Sequence, residues 1–510
     1  MRTEMEDKLE GDIKALAKIF VMIAATFMVG TAAFAGSPAS HVVNPNSPLI
    51  HNCSSCHGAN GVGDARMDIP RIGGMNAGYL IHALKSMANG TWQSAVMSPI
   101  ARPLTDKQVE IVAHYFAKQS PPPLSSGTTI QSHLVHGWLL ATQGDWKNAI
   151  PACTLCHGKR GNGIGTYFPR LAEQNAGYLE SQIYAWRVGT RHDDPLGLME
   201  TIAKRLRRTQ IDAVVRYFSE VSAESKMSVV TVDRVPAGFI DRQGRFVPPS
   251  KNMSPSGPFG DMVRLGHKIF EHTAKYARRF SGNVLSCDNC HIDAGRLAHA
   301  GPMWAAYVAY PAYRKKTKKV NSFAQRLQGC FRYSMNGLAP PLHSKVLLAL
   351  ETYSYFLATG APTGKILKGR GYPKLNYPAQ GMSYGRGRVV FQSHCALCHG
   401  THGQGRHTES GTSGFPPLWG SGSYNWGAGM SNVKVAARFI KANMPLGLGG
   451  TLTVQEAWDV AMFVDSHQRP QDPRFNGSVV STRAKYHNSA TSMYGRVVNG
   501  EKLGEPVVTH

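Results

Sequence analysis

The sequence predicts a mainly α-helical protein of four consecutive small helical units, and three observations predict it. At 510 residues, with 42% hydrophobic and 17% charged residues, the chain is globular in composition and several times longer than one small domain. The pentapeptide Cys-x-x-Cys-His occurs four times, at intervals of about a hundred residues or more. Segments with helical apolar periodicity, among them 109–116, 211–218 and 454–466, close the stretches that follow these motifs.

Scattered charges up to Lys18 precede an apolar and small-residue run from Ile19 to Ala35, which ends Ala33-Phe34-Ala35 before Gly36. This reads as a Sec-type signal over 1–35 and places the body outside the cytoplasm, in the periplasm. A retained anchor is the alternative, because the run is near the ~17-residue lower limit for a bilayer span. No later segment is long and apolar enough, so no membrane span is expected after signal removal. A net charge of +24 attracts small anions and acidic partner proteins. Nucleic acid is excluded as a partner: the charge is spread along the chain, with no zinc-finger spacing, RNP-like aromatic motif or basic helix.

Eight of the nine cysteines form the pairs Cys53/Cys56, Cys153/Cys156, Cys287/Cys290 and Cys395/Cys398, followed by His57, His157, His291 and His399. Chance would supply on the order of 0.01 such pentapeptides, so the pattern is not accidental. Two thiols at this spacing form thioethers to porphyrin vinyl groups, and the adjacent His ligates iron. A zinc site needs pairs roughly 15–20 residues apart, and a thioredoxin-like motif leaves the His unexplained. Four covalently bound haem c groups are therefore expected.

The first two motifs head an internal repeat. Ile69-Pro-Arg71 recurs as Phe168-Pro-Arg170, Asn76-Ala-Gly-Tyr-Leu80 as Asn175-Ala-Gly-Tyr-Leu179, and Gly90-Thr91 as Gly189-Thr190. Pro121-Pro122-Pro123 marks the seam between units 36–124 and 125–225. This half resembles the tandem dihaem cytochromes c of the class I type, whose sixth iron ligand is a downstream Met. Met97, 40 residues after His57, and Met199, 42 after His157, hold equivalent places. Met67, Met75 and Met87 compete in the first unit, and Met also serves as core filler, but only Met97 and Met199 correspond between the repeats. The resemblance extends the expectation to four class I cytochrome c-like domains.

Residues 226–259, with the Pro/Ser/Gly-rich stretch Pro248 to Gly260, read as a linker to a third unit at 260–375 and a fourth at 376–470. The tail, 471–510, has no clear periodicity and is expected to be poorly ordered. The third unit holds Pro302-Met-Trp-Ala-Ala-Tyr-Val-Ala-Tyr-Pro311 and Arg326-Leu-Gln-Gly-Cys-Phe-Arg-Tyr-Ser-Met-Asn-Gly337. The fourth holds Phe415-Pro-Pro-Leu-Trp-Gly420, Ser423-Tyr-Asn-Trp-Gly-Ala-Gly-Met430 and Asn443-Met444-Pro445. Cys330, the ninth cysteine, lies 39 residues after His291 and is flanked by Arg314, Lys315, Lys316, Arg326 and Arg332. A lone Cys in an apolar context is more often a buried thiol, but a thiolate is favoured near cations and can ligate iron.

Together these blocks resemble the dihaem thiosulfate dehydrogenases that form tetrathionate, and a preceding dihaem cytochrome resembles that enzyme's electron acceptor. The whole chain is thus similar to an acceptor–dehydrogenase fusion. The resemblance implies His291/Cys330 ligation at the substrate haem, hydrogen bonds from Gln328 and Ser334, and delivery of electrons to a soluble acceptor such as a small cytochrome or a high-potential iron–sulfur protein. Joining two thiosulfate dianions costs roughly 4 kcal/mol of repulsion at ~4 Å even in water. Arg326 and Arg314 are the preferred clamps, since guanidinium offers a planar donor fork; a solvated basic face is the alternative for Arg314 and the 315–319 run. At the fourth haem Met444, 45 residues past His399, is the expected axial ligand, with Met430 its rival. Some relatives place Lys beside this Met, where Asn443 stands here; Lys441 is the nearest amine. Alternative readings are a tetrathionate reductase with the same site, a non-catalytic multihaem carrier, and a thiol transferase acting on a sulfur-carrier protein.

Overall fold

The computed structural model describes residues 45, 47–123, 132–222, 230–233, 235–251, 253–407 and 413–505. The expected signal, 1–35, lies outside the described residues. The architecture is mainly helical, with two-stranded sheets between the helices.

The first unit runs α1 (Pro48–His57), α2 (Ala77–Asn89), α3 (Met97–Ala101) and α4 (Asp106–Ala117). The second runs α5 (Val135–Gln143), α6 (Ala176–Val188), α7 (Leu198–Arg205) and α8 (Arg208–Glu220). The repeated sequence blocks are helix signals. Asn76 and Asn175 accept from the N–H groups of Tyr79 and Tyr178 to start α2 and α6, and Gly90 and Gly189 end them in the left-handed conformation. The terminal helix α4 buries Val109, Val112, Ala113 and Phe116; α8 buries Ile211, Val214, Val215 and Phe218.

Next come β1 (Val230–Val232), β2 (Phe239–Ile240), β3 (Phe246–Val247) and β4 (Met253–Pro255), then α9 (Gly257–Glu271). The third unit continues with the antiparallel pair β5 (Ala312–Arg314) and β6 (Lys319–Asn321), then α10 (Phe323–Tyr333) and α11 (Lys345–Leu357). The fourth contains α12 (Tyr384–His394), β7 (Arg406–His407), β8 (Ser413–Phe415), α13 (Val433–Asn443), α14 (Val454–Asp465), α15 (Val479–Tyr486), β9 (Val497–Val498) and β10 (Glu501–Lys502).

One contact organises units two, three and four. An opening helix crosses the closing helix at a glycine: a Cβ on Gly137, Gly266 or Gly387 would stand 2.0 Å from the carbonyl oxygen of Ala213, Ala349 or Asp459 respectively. Only glycine permits that backbone approach.

Two expectations need correcting. The stretch read as a linker is folded: β1 pairs with β4 and β2 with β3, and Phe246 is buried in the third core against Trp304, ring centroids 5.4 Å apart. The tail is also folded through residue 505, with Met493, Tyr494 and Leu503 packed against Trp426 and Trp458. Each segment is held by a few isolated large side chains, which leave no periodic signature.

The repeat units meet about a local two-fold. Gln93 N–H donates to the Thr190 carbonyl and His192 N–H to the Thr91 carbonyl, each at 2.8 Å. These positions correspond between repeats, so the contact is isologous. Arg191 is buried between the rings of Trp92 and Trp186, 3.3 and 3.9 Å from their centroids, and pairs with Asp193 at 2.8 Å. The second unit also packs on the fourth. Ile164, Phe168 and Leu198 share a buried cluster with Phe415, lined by Cys156 and Cys398, and Arg205 donates to the carbonyls of Ala149 and Gly447 at 2.8 and 2.9 Å. Among the described residues no helix is long and apolar enough to cross a membrane.

Candidate functional site

The four motif histidines share one arrangement. Nδ1 of His57, His157, His291 and His399 donates to the carbonyl of Pro70 (3.0 Å), Pro169 (2.9 Å), Gly301 (2.6 Å) and Pro416 (2.8 Å). That bond fixes the ring and leaves Nε2 free as a ligand. Burial lowers the pKa of all four, His291 to about 4, so each is a neutral base at pH 7. All nine cysteines are free of disulfides. No cluster of three His, Cys, Asp or Glu fit for a bare metal ion occurs among the described residues.

The motif cysteines are not equally enclosed. Cys53 and the six cysteines of the other three motifs are partly buried, whereas Cys56 is exposed. It lies near the end of α1, where Ser55 Oγ donates to its Sγ at 3.9 Å. The reason is tertiary. Its counterparts Cys156 and Cys398 both pack against the apolar cluster where the second and fourth units meet. A thioether is made at the rim of a porphyrin, so an exposed thiol next to the buried His57 fits a haem whose edge opens to solvent.

These residues fit covalent haem c. Around His157 the chain leaves a largely apolar cavity lined by Cys153, Cys156, Met199, Trp186 and Phe218. Met199 therefore faces the expected haem position. Met75 lines the same cavity from the first unit, and Met67 is 72% exposed, which leaves Met97 and Met87 as the inward choices in the first unit. Met97 opens α3 with its N–H on Ser94 Oγ at 3.0 Å, as Met199 N–H is held by Asp194. Met430 and Met444 both border a cluster of Ile292, Ala300 and Phe439. Asn443 turns its carboxamide to the carbonyls of His299 (3.1 Å) and Phe439 (3.0 Å), and Lys441 donates to the Gly450 carbonyl at 2.6 Å. Both alternative nitrogens are thus occupied elsewhere.

The distinctive site is on α10. A Ser322/Gln325 capping box starts this helix, and Phe323, Leu327 and Phe331 bury one face of it. The neighbouring face carries Arg326 and Cys330 one turn apart, Arg326 Nη1 donating to Cys330 Sγ at 2.9 Å. The Cys330 charge raises the Arg326 pKa against the opposing effect of burial. Cys330 is close enough to Cys287 and Cys290 to act electrostatically on both, which puts it at the third haem motif.

Arg314, at the end of β5, reaches the same place: its Nη1 would be 3.8 Å from a Cβ on Gly329. Burial and then the Arg326 charge lower its pKa. Ser334 caps α10 one turn beyond Cys330. Gln328 lies on another side of the helix and donates to the Pro340 carbonyl at 2.8 Å, so the structure does not bring it to the thiol.

Tyr372 emerges only in three dimensions, and Lys316 takes on a different meaning there. Tyr372, from the strap after α11, lies beside Cys290, Arg326 and Cys330, and burial raises its pKa. Lys316 belongs to the basic run read as a possible solvated face. It is exposed as a whole, but its ammonium turns inward onto the Gly427 carbonyl and sits 3.5 Å from the Tyr333 ring centroid. Desolvation, then repulsion from Arg474, brings it down to about 7; Asp472, Arg326 and Arg314 also act on it. The sequence signal for Lys316 was its place two residues after Arg314; Tyr372 had none.

The arrangement is a thiol enclosed by guanidinium groups at a haem motif, suited to bind anions beside an electron acceptor. Comparison with known proteins agrees with it. Residues 273–363 match the family model described as SoxA/TsdA, cytochrome c domain, and 383–464 match that of cytochrome c oxidase, cbb3-type, subunit III. The chain is 56% identical over 261 residues to the thiosulfate dehydrogenase of Thiomonas intermedia, covering 51% of this chain and 83% of that protein. It is 40% identical over 188 residues to the thiosulfate dehydrogenase electron acceptor of the same organism, covering 37% of this chain and 86% of that one. The solved thiosulfate dehydrogenase TsdBA of Marichromatium purpuratum aligns with a TM-score of 0.81 at 43% identity, over 89% of this chain and 96% of that one.

Proposed function

The chain belongs to the thiosulfate dehydrogenase family, and from that premise we propose that it joins the dehydrogenase and its dihaem electron acceptor in one exported, periplasmic polypeptide. It is a multihaem c-type cytochrome that oxidises thiosulfate: two thiosulfate ions become tetrathionate and release two electrons. The observation that carries the assignment of the site is the Arg326 to Cys330 contact at 2.9 Å beside Cys287 and Cys290.

The four Cys-x-x-Cys-His motifs would hold four haem c groups, with His57, His157, His291 and His399, and Met97, Met199, Cys330 and Met444, as the residues that would ligate iron. When bound, the haems would supply one-electron acceptance and relay. Cys330 is the nucleophile. Its thiolate joins the outer sulfur of one thiosulfate to give a cysteine S-thiosulfonate with release of two electrons. A second thiosulfate then attacks that sulfur, forms the central S–S bond of tetrathionate and returns the thiolate. Arg326 and Arg314 hold the sulfonate oxygens and offset the repulsion between the two dianions; Ser334 lies on the same face, whereas Gln328 supports the helix through Pro340. The first motif, with Cys56 exposed, is the natural exit for electrons, and cytochrome or high-potential iron–sulfur acceptors suit the basic outer surface.

The test is anaerobic stopped-flow mixing of oxidised protein with thiosulfate, following the haem bands and assaying tetrathionate in wild type and Cys330→Ala. Haem reduction with tetrathionate formation, lost in the variant, is expected. Undiminished turnover in Cys330→Ala would overturn its role, and no reduction in wild type would favour the reductase or carrier reading.

A further inference from the structure

Cys330 stands in the middle of a stripe of α10. Arg326, Cys330 and Tyr333 are spaced i, i+4, i+7, so they follow one another along one face of the helix. Toward the helix start the thiol has Arg326, at 2.9 Å, and beyond it Arg314. Toward the helix end comes the Tyr333 ring, and that ring carries two further cations: the Lys316 ammonium 3.5 Å from its centroid and the Arg474 guanidinium at 5.2 Å.

The C-terminal segment builds this second group. Asp472, its side chain buried, accepts from Arg474 Nε on Oδ1 at 2.9 Å and from Arg474 Nη2 on Oδ2 at 2.6 Å, and His487 Nε2 lies 2.8 Å from Oδ2. The guanidinium also lies over the Tyr486 ring, 4.1 Å from its centroid. Gly427 is pressed between α10 and this segment: a Cβ there would stand 2.4 Å from Tyr333 Cδ1 and 3.1 Å from Asp472 Oδ1. The Gly427 carbonyl takes one hydrogen of the Lys316 ammonium. Both Asp472 oxygens are thus used within the protein, whereas Lys316 keeps two N–H groups, and Arg474 its Nη1, without a protein acceptor among the described residues.

Tetrathionate formation needs cations on both sides of the thiol. Two thiosulfates bring four negative charges, while Arg326 and Arg314 supply two positive ones, and one Arg326 donor is already on Cys330 Sγ. In the second step the outer sulfur of the incoming thiosulfate attacks the sulfur bound to Cys330. A new S–S bond forms, the Cys330–sulfur bond breaks, and its electron pair leaves on the thiolate, with no net oxidation in this step. One sulfonate then lies at each end of the sulfur chain, and a clamp at the Arg326 end holds only one of them. That chain is three S–S bonds of about 2 Å each, so its sulfonates lie within about 6 Å of one another; the three residues from Cys330 to Tyr333 rise about 4.5 Å. We propose that Lys316 and Arg474, positioned by Tyr333 and Asp472, bind the second thiosulfate and the far sulfonate of tetrathionate. The proposal rests on the thiosulfate-oxidising reading of Cys330 and places its second substrate.

The experiment separates the two steps in the oxidised holoprotein, in wild type, Lys316→Gln, Arg474→Gln and Arg474→Lys. Rapid mixing with thiosulfate follows haem reduction, which reports the first step; acid quench and intact mass spectrometry follow the Cys330 adduct, and released tetrathionate reports the second. In Lys316→Gln and Arg474→Gln the thiosulfate concentration that half-maximally clears the adduct should rise about tenfold, the loss of one charge-assisted contact. The adduct should accumulate while the rate of haem reduction changes far less, and Arg474→Lys should recover part of the loss. If Arg474→Gln fails to fold, Lys316→Gln decides. Unchanged clearance of the adduct in Lys316→Gln would overturn the proposal, as would an equal fall in both steps, which a general loss of positive field or of packing produces. A wild type whose haems thiosulfate does not reduce would instead overturn the reading of the function, and the subsite with it.

Discussion

Lys316 shows how one side chain takes its meaning from its neighbours. In sequence it is one of several lysines in a polar run; in space its ammonium faces Arg314, Arg326 and Arg474, with Asp472 as the compensating charge. A lysine brought down to about 7 is charged below that pH and neutral above it. The anion site is therefore more positive on the acid side. The KM for thiosulfate is expected to rise about tenfold as pH increases through 7, the loss of one charge-assisted contact. Lys316→Arg should flatten that rise, because guanidinium stays charged, and Lys316→Met should hold KM high throughout. Steady-state assays from pH 5.5 to 8.5, a range spanning about 7 on both sides, read this directly; a KM independent of pH in wild type would exclude Lys316 from the site.

At the scale of the element, the glycine crossing couples helix sequence to haem placement. Gly266 in α9 lies where a Cβ would meet the Ala349 carbonyl at 2.0 Å and Tyr353 Cβ at 2.6 Å. In an isolated helix Gly→Ala is stabilising by about 1 kcal/mol. Here the added methyl must push α9 from α11, and overpacking of this kind costs about 1–3 kcal/mol. Gly266→Ala is therefore expected to lower the thermal midpoint of the third unit by a few degrees, measured by calorimetry with haem absorbance. A raised midpoint would mean that the helices are not held at this distance.

At the scale of the molecule, the acceptor half and the dehydrogenase half are joined by packing as well as by the chain. Phe168 and Phe415 precede the two prolines that orient His157 and His399, and their rings lie 5.1 Å apart between centroids. Each ring also flanks its own histidine, at 6.4 and 6.5 Å. The seam thus brings the second and fourth motifs together, which fusion alone would achieve only by raising effective concentration. Phe415→Leu should leave reduction of the dehydrogenase half by thiosulfate intact while slowing the later reduction of the acceptor half several-fold. Multi-wavelength stopped-flow separates the two phases, and an unaltered slow phase would show that transfer does not depend on this contact.

What can be read along the chain alone is local. Thiol spacing, the adjacent histidine, the Asn and Gly that start and stop α2 and α6, and Arg326 one turn before Cys330 are each set within a few residues, so a one-dimensional pattern contains them. Four pentapeptides of one Cys-x-x-Cys-His pattern gave no hint that Cys56 is exposed while Cys156 and Cys398 are partly buried against an apolar cluster. The folded linker, the packed tail, Gln328 turned to Pro340 and Tyr372 beside the thiol likewise come from the tertiary arrangement. Each depends on which distant segment arrives opposite it, through burial of single side chains and close backbone approach. Such contacts have no period along the chain, and their energy exists only once both partners are in place.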